Sequence, residues 1–378
     1  MPRVLSLLLF LLASGPFAVA TAPLTEQHIR VLLFETSSEI TIVAPGPHTG
    51  STAEHEFQAG LGLRWPVRLG ANELLVDGRA IGRSLTLVPA GGAWLEIDGL
   101  PYRGGVTVQV GEAETMLVIN TVFVDDYLRG VLPAEMPPGW PAEALKAQAV
   151  ASRTYALASL EPAEPYDICA TTDCQVYGGV LVEDDRTNAA ITATTGEVVM
   201  FGQELAQTYY HSDSGGHVAS SSEVWGAQLP YLSARSDVQA VSPHRSWTFR
   251  LDPARMQHDL QALGYAPGTV TGLRVVEYSD SGRAVQADIV TTAGTIRLAG
   301  SLLSSTLRGW GMKSTRFRMT GDLSATGDGW GHGVGMSQYG ARSLASTGSH
   351  YAAILEFYYP QTVLSTAVEA EPKRYIQW

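Results

Sequence analysis

The sequence contains only two cysteines, Cys169 and Cys174, in 378 residues. Beyond residue 22 it has no apolar stretch near the ~20 residues that a membrane-spanning helix requires, so no such segment is predicted for the mature chain. Basic residues are sparse: 25 Lys and Arg stand against 37 Asp and Glu, and no basic run exceeds two residues. Because phosphate neutralisation needs clustered basic side chains, the composition argues against nucleic acid as a partner.

The first 22 residues differ from the rest. They carry one early arginine, an apolar run over residues 4–12, and small residues at Ala18, Ala20 and Ala22. This pattern is typical of a secretory signal and is too short for a spanning helix. We expect cleavage after Ala22 and export to the cell envelope, meaning periplasm, cell wall or extracellular space, with a retained signal anchor as the alternative.

The remaining chain has the composition of a protein with a large core, at 45% hydrophobic and 16% charged residues. Short β-type runs separated by Gly and Pro extend from Ile29 to Thr121 and return after residue 195. Between them lies one alanine-rich segment. We therefore predict an α+β fold of mainly antiparallel sheets around a central buried Ala-rich helix. The predicted divisions are an N-terminal β subdomain at 23–115, a catalytic domain at 116–365 and a tail at 366–378.

The alanine-rich segment follows a proline-rich bend. Residues 127–132 predict a short helix that prolines at 133–138 break, and Pro141 starts a long helix with seven alanines before Leu160. Lys146 and Arg153 are seven residues apart and lie on one face of that helix. They are interpreted either as positioned cations or as a solvated edge. Further helices are predicted at 253–263, 337–346 and 352–358.

Glu135 stands in this bend beside Met136 and near Trp140. An acid in an apolar setting should have a raised pKa, which suits a proton donor near neutral pH. From spacing alone, Glu135 is equally interpretable as a cap of the following helix or as a partner of Arg153.

The cysteine pair in an exported chain predicts a small disulfide between Cys169 and Cys174. Zinc is the alternative, but the loop adds only Asp167 and Asp173, and the spacing matches neither a C-x2-C nor an H-E-x-x-H pattern.

Two glycine-rich stretches contain the remaining candidate residues. The segment HSDSGGH spans His211 to His217 and includes Ser214, in a context similar to the nucleophile loop of serine proteases. No upstream histidine has the expected neighbours, which argues against that reaction. The segment GWGHGVGMSQYG places His332 among alternating glycines, a pattern that brings a backbone close to a ligand or to another strand. Tight packing around a buried histidine is the other interpretation.

Four ordered blocks resemble the stage II sporulation protein D family, which includes the amidase-enhancer proteins. They read VDDYLRGVLPAEMPPGWPAEALKAQAVASRTYAL, YDICATTDCQVYGG, YYHSDSGGHVASSSEVWG and GWGHGVGMSQYGARSLASTGSHYAAILEFYYPQT. The resemblance spans residues 29–364. It implies a peptidoglycan lytic transglycosylase that cleaves MurNAc-GlcNAc bonds of peptide-stripped glycan strands and leaves 1,6-anhydro-MurNAc ends. A noncatalytic wall-binding protein that stimulates an N-acetylmuramoyl-L-alanine amidase is the alternative.

The same resemblance assigns roles to residues. Its catalytic acid corresponds to Glu135, and one carboxyl group suffices because the sugar's own 6-hydroxyl is the nucleophile, whereas most glycosidases need two. Some members bind zinc at the cysteine loop, but here Asp173 replaces a histidine common among relatives, so we expect no cofactor. The expected partners are glycan strands and a cell-wall amidase. Substrate contacts are expected from cations, aromatic walls and polar groups, namely Lys146, Arg153, Trp140, Tyr177, Trp225, Tyr339, His211, Ser214, His332, Ser337 and Gln338.

Overall fold

The computed structural model describes residues 27–237 and 240–366. The predicted signal sequence at 1–22 and almost all of the predicted tail at 366–378 lie outside the described residues. Within the described ranges, no helix combines the length and the apolar character needed to cross a membrane.

The N-terminal part consists of strands that follow the alternating apolar pattern of the sequence. Their bounds are β1 His28–Thr36, β2 Ile40–Ala44, β3 His48–Thr52, β4 Glu56–Ala59, β5 Leu63–Leu69, β6 Leu74–Val76, β7 Arg79–Ala80, β8 Ser84–Pro89, β9 Trp94–Ile97, β10 Leu100–Arg103, β11 Gly105–Val110 and β12 Met116–Phe123. Strands β1 and β12 pair antiparallel, with His28 opposite Phe123 and Thr36 opposite Met116.

The helices follow in two groups, separated by shorter strands. Their bounds are α1 Val124–Glu135, α2 Ala142–Ala158, α3 Asp185–Ala193, α4 Ser221–Trp225, α5 Pro253–Ala262, α6 Gly300–Gly309, α7 Gln338–Ser346 and α8 Tyr351–Tyr358. The other strands are β13 Ile168–Cys169, β14 Val198–Phe201, β15 Glu204–Leu205, β16 Tyr210–His211, β17 His217–Val218, β18 Arg235–Ser236, β19 Trp247–Arg250, β20 Val270–Tyr278, β21 Ala284–Thr291, β22 Gly294–Ala299, β23 Phe317–Gly321, β24 Ser324–Gly327, β25 Met336–Ser337 and β26 Val363–Ser365.

Two large sheets form from the early strands, in the orders β13-β1-β12-β11-β8-β3-β4 and β10-β9-β2-β5-β6-β7. Most neighbours are antiparallel; β13 joins β1 in parallel. Because side chains alternate across a strand, one side of β1 buries Ile29, Val31 and Leu33. The α+β fold class, with mostly antiparallel sheets, is confirmed.

Helix α2 lies in the main core, as its alanines predict. Ala144, Ala147 and Ala151 are fully buried, and the helix packs against α1, α3, α7, α8 and β14. Small side chains allow these elements to approach closely, and alanine carries no propensity cost in a helix. A buried central helix is therefore confirmed.

The break predicted at Pro133 is wrong. Helix α1 begins at Val124 and continues through Pro133 to Glu135. Proline removes one backbone hydrogen bond and crowds the preceding turn, which is costly in a helix interior. Here it falls two residues before the last residue of the helix, and the amide of Met136 still bonds the Leu132 carbonyl at 2.9 Å. The true end of α1 is therefore Glu135 itself.

A second hydrophobic core, separate from the main one, was not anticipated. It is formed by β19 to β24 with α5 and α6, and its fully buried members include Met256, Leu260, Ala287, Ile289, Leu303 and Leu307. The strands predicted here are present, but the sequence pattern did not show that they bury a core of their own. Helices α3 and α6 were also missed.

The strand predicted over 204–211 is interrupted. Only its ends pair, as β15 and β16. Between them the amide of Gln207 bonds the Tyr231 hydroxyl at 2.9 Å, while the Thr208 hydroxyl bonds the Ala151 carbonyl at 2.7 Å. These contacts tie the segment to its surroundings in place of a continuous sheet ladder. Strand β16 then pairs in parallel with β25, which brings His211 opposite Ser337.

Candidate functional site

Glu135 is the last residue of α1, and its position follows from the end of that helix. Met136 leaves helical geometry and is fully buried, which anchors the bend. The carbonyl end of a helix carries partial negative charge, so a carboxylate there is less stable than one at a helix start. Glu135 retains a partly exposed edge. Its location is therefore unlike that of a helix cap, which would stand at the start of α2.

Two neutral donors hold the Glu135 carboxyl group. The backbone amide of Val176 donates to Oε1 at 3.1 Å, and the side-chain amide of Gln338 donates to Oε2 at 3.3 Å. The Tyr210 hydroxyl is a further hydrogen-bond partner. Glu135 does not pair with Arg153, whose guanidinium contacts Asp125 at 2.7 Å. Each of the two carboxyl oxygens is thus held by a different segment, and the two segments are distant in the sequence.

Burial raises the pKa of Glu135 above its ordinary value of 4.5, and it outweighs the hydrogen bonds from Val176, Gln338 and Tyr210, which lower the pKa. Desolvation disfavours the charged form of a carboxyl group, whereas donors stabilise it. A raised pKa brings a carboxyl group closer to the pH at which an enzyme works, which favours a role as both acid and base.

Three side chains behind Glu135 form a buried network. The Tyr127 hydroxyl donates to Gln175 Oε1 at 3.1 Å, and Gln175 Nε2 donates to the Tyr210 hydroxyl at 3.0 Å. Burial raises the pKa of both tyrosines well above the ordinary value, so their hydroxyls stay protonated. The amide of Gln175 fixes the orientation of Tyr210, which then faces the carboxyl group of Glu135.

Sequence reasoning missed Tyr127, Gln175, Val176 and Tyr210 as parts of this site. Gln175 and Val176 follow Cys174 directly, inside a block that carries the family resemblance. That position was the available signal. Of these two residues, Val176 bonds Glu135 directly, and Gln175 bonds the Tyr210 hydroxyl.

Cys169 and Cys174 are joined by a disulfide, with Cα atoms 5.5 Å apart. The amide of Cys169 also lies 3.0 Å from the Cys174 sulfur. Zinc requires thiolate, imidazole or carboxylate ligands. The disulfide sulfurs are not thiolates, and Asp173 lies 3.5 Å from Arg308. The described residues contain no group of three side chains arranged to hold a metal, so this loop does not fit a zinc site.

The two predicted substrate cations of α2 have partners within the protein. Arg153 is 1% exposed; it contacts Asp125 and donates to the Glu197 and Ile191 carbonyls at 3.2 and 3.3 Å. A substrate carboxylate cannot reach it without displacing those groups. Lys146 is partly exposed and pairs with Glu143 at 2.8 Å. Neither cation is therefore available in the way the sequence suggested.

The polar residues of the glycine-rich stretches are largely internal. His211 is 4% exposed and donates through Nδ1 to the Val334 carbonyl at 3.1 Å. His332 accepts from the Val334 amide at Nδ1, which leaves Nε2–H to donate to the Tyr210 carbonyl at 2.9 Å. Burial lowers the pKa of His332 to about 4, so it stays neutral. It thereby supports the backbone of Tyr210.

The alternating glycines allow one chain segment to pass against another. At Gly335, with φ of +72°, an added Cβ would lie 1.9 Å from the Tyr209 carbonyl oxygen. At Gly333, with φ of +87°, it would lie 2.1 Å from the Arg283 guanidinium. Only glycine fits these positions without strain. These glycines therefore bring the backbone close to other segments of the protein, in agreement with the interpretation as tight packing around a buried histidine.

Ser214 and Ser337 have structural partners. The hydroxyl of Ser214 donates to Asp237 Oδ2 at 2.6 Å, and that of Ser337 accepts from the Gly340 amide as the cap of α7. A serine nucleophile requires an imidazole base at its hydroxyl. Ser214 has a carboxylate there and is 1% exposed, so the geometry gives the protease reaction no support.

The four predicted aromatic walls lie in three different places. Tyr177 is buried, donates to Asn120 at 2.9 Å and packs where Gly130 leaves space, so it belongs to the core. Trp225 is 39% exposed and stacks beside His332 at a centroid distance of 5.2 Å.

The other two walls lie on the chain segments that carry Glu135 and Gln338. Trp140 and Tyr339 meet edge to face at 4.9 Å, five residues after Glu135 and one after Gln338. Their rings join the two segments that also meet through the hydrogen bond between Glu135 and Gln338. Of the predicted site residues, Glu135, Gln338 and Trp140 are thus brought together with Tyr339.

Comparison with known protein families identifies two matching regions in the chain. A family model described as "Stage II sporulation protein" (SpoIID) matches residues 112–201, which include α1, α2 and the cysteine loop. A domain of unknown function matches residues 236–335, which contain the second core.

Three relatives extend the match to between 66% and 88% of the chain. An uncharacterized protein of Brachyspira hyodysenteriae is 31% identical over 88% of this chain and 91% of its own length. The amidase enhancer of Bacillus subtilis is 30% identical over 82% of this chain, which spans about half of that protein, 51%. The stage II sporulation protein D of the same organism is 28% identical over 66% of this chain and 76% of its own length. The chain therefore belongs to the SpoIID family of stage II sporulation protein D and the amidase enhancer.

Proposed function

We propose that this protein is a peptidoglycan lytic transglycosylase in which Glu135 serves as general acid and then as general base. The family relationship supports a role in the cell wall. The observation that carries the finer proposal is the setting of Glu135: a largely desolvated carboxyl group with a raised pKa, held by Val176 and Gln338 beside an aromatic surface.

The proposed reaction needs one carboxyl group. Protonated Glu135 gives its proton to the oxygen that bridges MurNAc and GlcNAc, and the bond from that oxygen to C1 of MurNAc breaks. The 6-hydroxyl oxygen of the same MurNAc bonds to C1, and its proton passes to the Glu135 carboxylate. The products are a 1,6-anhydro-MurNAc end and a free GlcNAc 4-hydroxyl, and the acid returns to its starting state. No water is consumed.

Neighbouring groups support each state of the acid. In the carboxylate form, the amides of Val176 and Gln338 and the Tyr210 hydroxyl stabilise the charge. In the protonated form the carboxyl group is uncharged, so its burial no longer carries the cost of desolvating a charge. Because the hydrogen-bond partners of Glu135 among the described residues are two amides and one phenol, we assign no second acid to the reaction.

The test uses purified protein and peptidoglycan sacculi whose stem peptides an amidase has removed. Mass spectrometry of the soluble products should detect 1,6-anhydro ends with the wild-type chain. If reducing ends appear in their place, the chain hydrolyses the bond with water and the transglycosylase proposal fails.

A second candidate function is supported by the relationship to the amidase enhancer. In that role the chain binds the wall and stimulates an N-acetylmuramoyl-L-alanine amidase without cleaving glycan. The same sacculi distinguish the two functions: a pure enhancer releases no anhydro ends, and it raises the rate at which an added amidase frees stem peptides.

Both functions place the protein in the cell envelope, with glycan strands as the partner. The SpoIID and amidase-enhancer relatives support this location. Fractionation of cells that express the full-length chain should recover it with the envelope or the medium, shortened by the signal sequence.

A further inference from the structure

Four aromatic rings contact one another in succession, beginning with Trp140, five residues after Glu135. Trp140 and Tyr339 are 4.9 Å apart, Tyr339 and His244 are 5.7 Å apart, and His244 and Trp330 are 4.5 Å apart, each pair edge to face. We call these four residues the aromatic track. All keep exposed surface, and Trp330 is 48% exposed.

The track crosses from one core region to the other. Trp140 follows α1, whereas His244 and Trp330 flank the strands of the second core, and the His244 carbonyl accepts from the Gly329 amide at 2.8 Å. Tyr339 lies between them and is fixed by its amide, which bonds the Ser212 carbonyl at 3.0 Å. The backbone thus holds the rings in place, and their exposed surfaces are available to a ligand.

A cation lies at each end of the track. At the end near Glu135, the Arg342 guanidinium is 5.3 Å from the Trp140 ring and 6.0 Å from the Tyr339 ring. Such contacts orient a guanidinium over a ring face without neutralising its charge.

The other cation is at the far end. The Lys313 ammonium is 5.4 Å from the Trp330 ring and donates to His244 Nδ1 at 3.3 Å. Desolvation lowers the pKa of His244 and the positive charge of Lys313 lowers it further, while the charge of Asp213 raises it in part. Lys313 therefore has a hydrogen-bond acceptor that does not cancel its charge.

Neither cation has an acidic partner in the part of the chain that the structure describes: no carboxylate lies within ion-pair distance of Arg342 or Lys313. This differs from the helix cations, since Lys146 pairs with Glu143 and Arg153 with Asp125. In a chain with 37 acidic and 25 basic residues, these are two partly exposed cations beside rings without an ion-pair partner among the described residues.

We propose that the aromatic track binds the sugar faces of a glycan strand, and that Arg342 and Lys313 select strands whose lactyl carboxylates are free. Aromatic faces suit pyranose rings because the ring hydrogens of a sugar present an apolar face. Guanidinium and ammonium groups form charge-assisted hydrogen bonds with carboxylates. MurNAc is every second sugar, so one strand presents carboxylates at intervals, and the two ends of the track contact successive ones.

This inference rests on the proposed function for the identity of the strand, but it concerns binding and not bond cleavage. A stem peptide converts each lactyl carboxylate to an uncharged amide and adds bulk. The track therefore discriminates against strands that still carry peptides. Specificity for stripped strands then arises from Arg342 and Lys313, not from the cations of α2.

The test measures binding by the full chain in a Glu135→Gln background, so that no turnover intervenes. Three probes are compared by isothermal titration calorimetry: peptide-free glycan strands, the same strands with stem peptides, and chitohexaose, which has no carboxylate. We expect the peptide-free strands to bind most tightly, with an affinity that falls as salt is added.

Two kinds of variant separate charge from stacking. Lys313→Gln and Arg342→Gln should each weaken binding of peptide-free strands about two- to fivefold, the range for partly exposed ion pairs, and leave chitohexaose binding unchanged. Trp330→Ala should weaken the binding of both peptide-free strands and chitohexaose. Lys313→Arg should retain binding. Arg64→Gln and Trp94→Ala, exposed positions on β5 and β9, are the matched controls and should change nothing.

Equal affinity for the three probes, or unchanged affinity of the Lys313 and Arg342 variants, would overturn the inference. Circular dichroism of each variant separates a binding defect from misfolding, and a misfolded variant is replaced by Lys313→Met or Arg342→Met. Production of anhydro ends is scored separately with unmutated Glu135. Its absence would refute the proposed reaction, while the ranking of the probes would still decide whether the track recognises carboxylates.

Discussion

Replacement of Glu135 by Gln is the most direct perturbation of the site. Gln has nearly the same shape, and its side-chain oxygen can still accept the Val176 amide that Oε1 accepts at 3.1 Å. The change removes the ability to release and accept a proton, and it also places an amide NH2 opposite the Gln338 donor that Oε2 accepts at 3.3 Å. Because one group performs both proton transfers in the proposed reaction, no neighbouring acid replaces it.

The expected loss follows from general acid-base catalysis, which contributes typically about 100- to 10,000-fold to a rate. Each tenfold corresponds to about 1.4 kcal/mol of activation free energy, so the variant should lose roughly 3 to 5 kcal/mol of transition-state stabilisation. The assay is the initial rate of anhydro-end release from peptide-stripped sacculi, with Glu73→Gln, an exposed position, as the matched control. A folded Glu135→Gln variant that keeps more than about a tenth of the wild-type rate would refute the reasoning.

Stability supplies an independent check on the environment of Glu135. Its raised pKa means that the folded protein holds this proton more tightly than the unfolded chain does. The contribution to stability is therefore present below the ordinary value of 4.5 and is lost as pH rises through the folded-state pKa. Gln cannot ionise, so the melting temperature of Glu135→Gln relative to wild type should increase over that window. A constant difference across it would show that the acid is well solvated.

Three further predictions concern the groups around the acid. Tyr210→Phe removes a hydrogen bond that lowers the pKa of Glu135, so the pH at which activity declines should move upward in a pH-rate profile; an unchanged profile would contradict this contact. Arg153→Met should destabilise the fold by about 3 to 5 kcal/mol in urea denaturation, because it leaves an acidic partner unpaired, while substrate affinity of the folded protein stays normal; a selective affinity loss would favour substrate contact. Cys174→Ser should cost about 2 kcal/mol of stability and lower kcat more than it raises KM, because the loop that presents the Val176 amide loosens; unaltered kinetics would separate the loop from catalysis.

The sequence predicted the parts of this protein that depend on local pattern. Alternating apolar residues predicted the early strands, and the alanines of α2 predicted a buried helix, because periodicity and side-chain size act over a few residues. Pro133 shows the limit of such reasoning: proline usually stops a helix because it removes the backbone donor to the i−4 carbonyl, yet α1 continues through Pro133 to Glu135. Only tertiary packing decides between the two outcomes.

Pairing over long distances was not predictable in the same way. Arg153 was correctly placed on the helix, but its partner Asp125 comes from α1, so its charge did not indicate accessibility. Likewise Gln338 is 203 residues from Glu135, and no local rule connects them. Glu135 was a candidate from its apolar setting and received its role from the family resemblance, whereas its hydrogen-bond partners are visible only in the structure.

The insertion of the second core explains how distant residues come to one surface. Tyr210 and His332 are 122 residues apart, yet they are joined by a hydrogen bond of 2.9 Å, and β16 and β25 pair in parallel at the same point. The cost of closing a loop grows only with the logarithm of its length, about 0.6 kcal/mol for each doubling. A folded unit can therefore be placed between these strands with little penalty to the main core. The unit contributes His244 to the aromatic track and Lys313 to its far end. It can therefore extend the proposed substrate contact without altering the residues that hold Glu135.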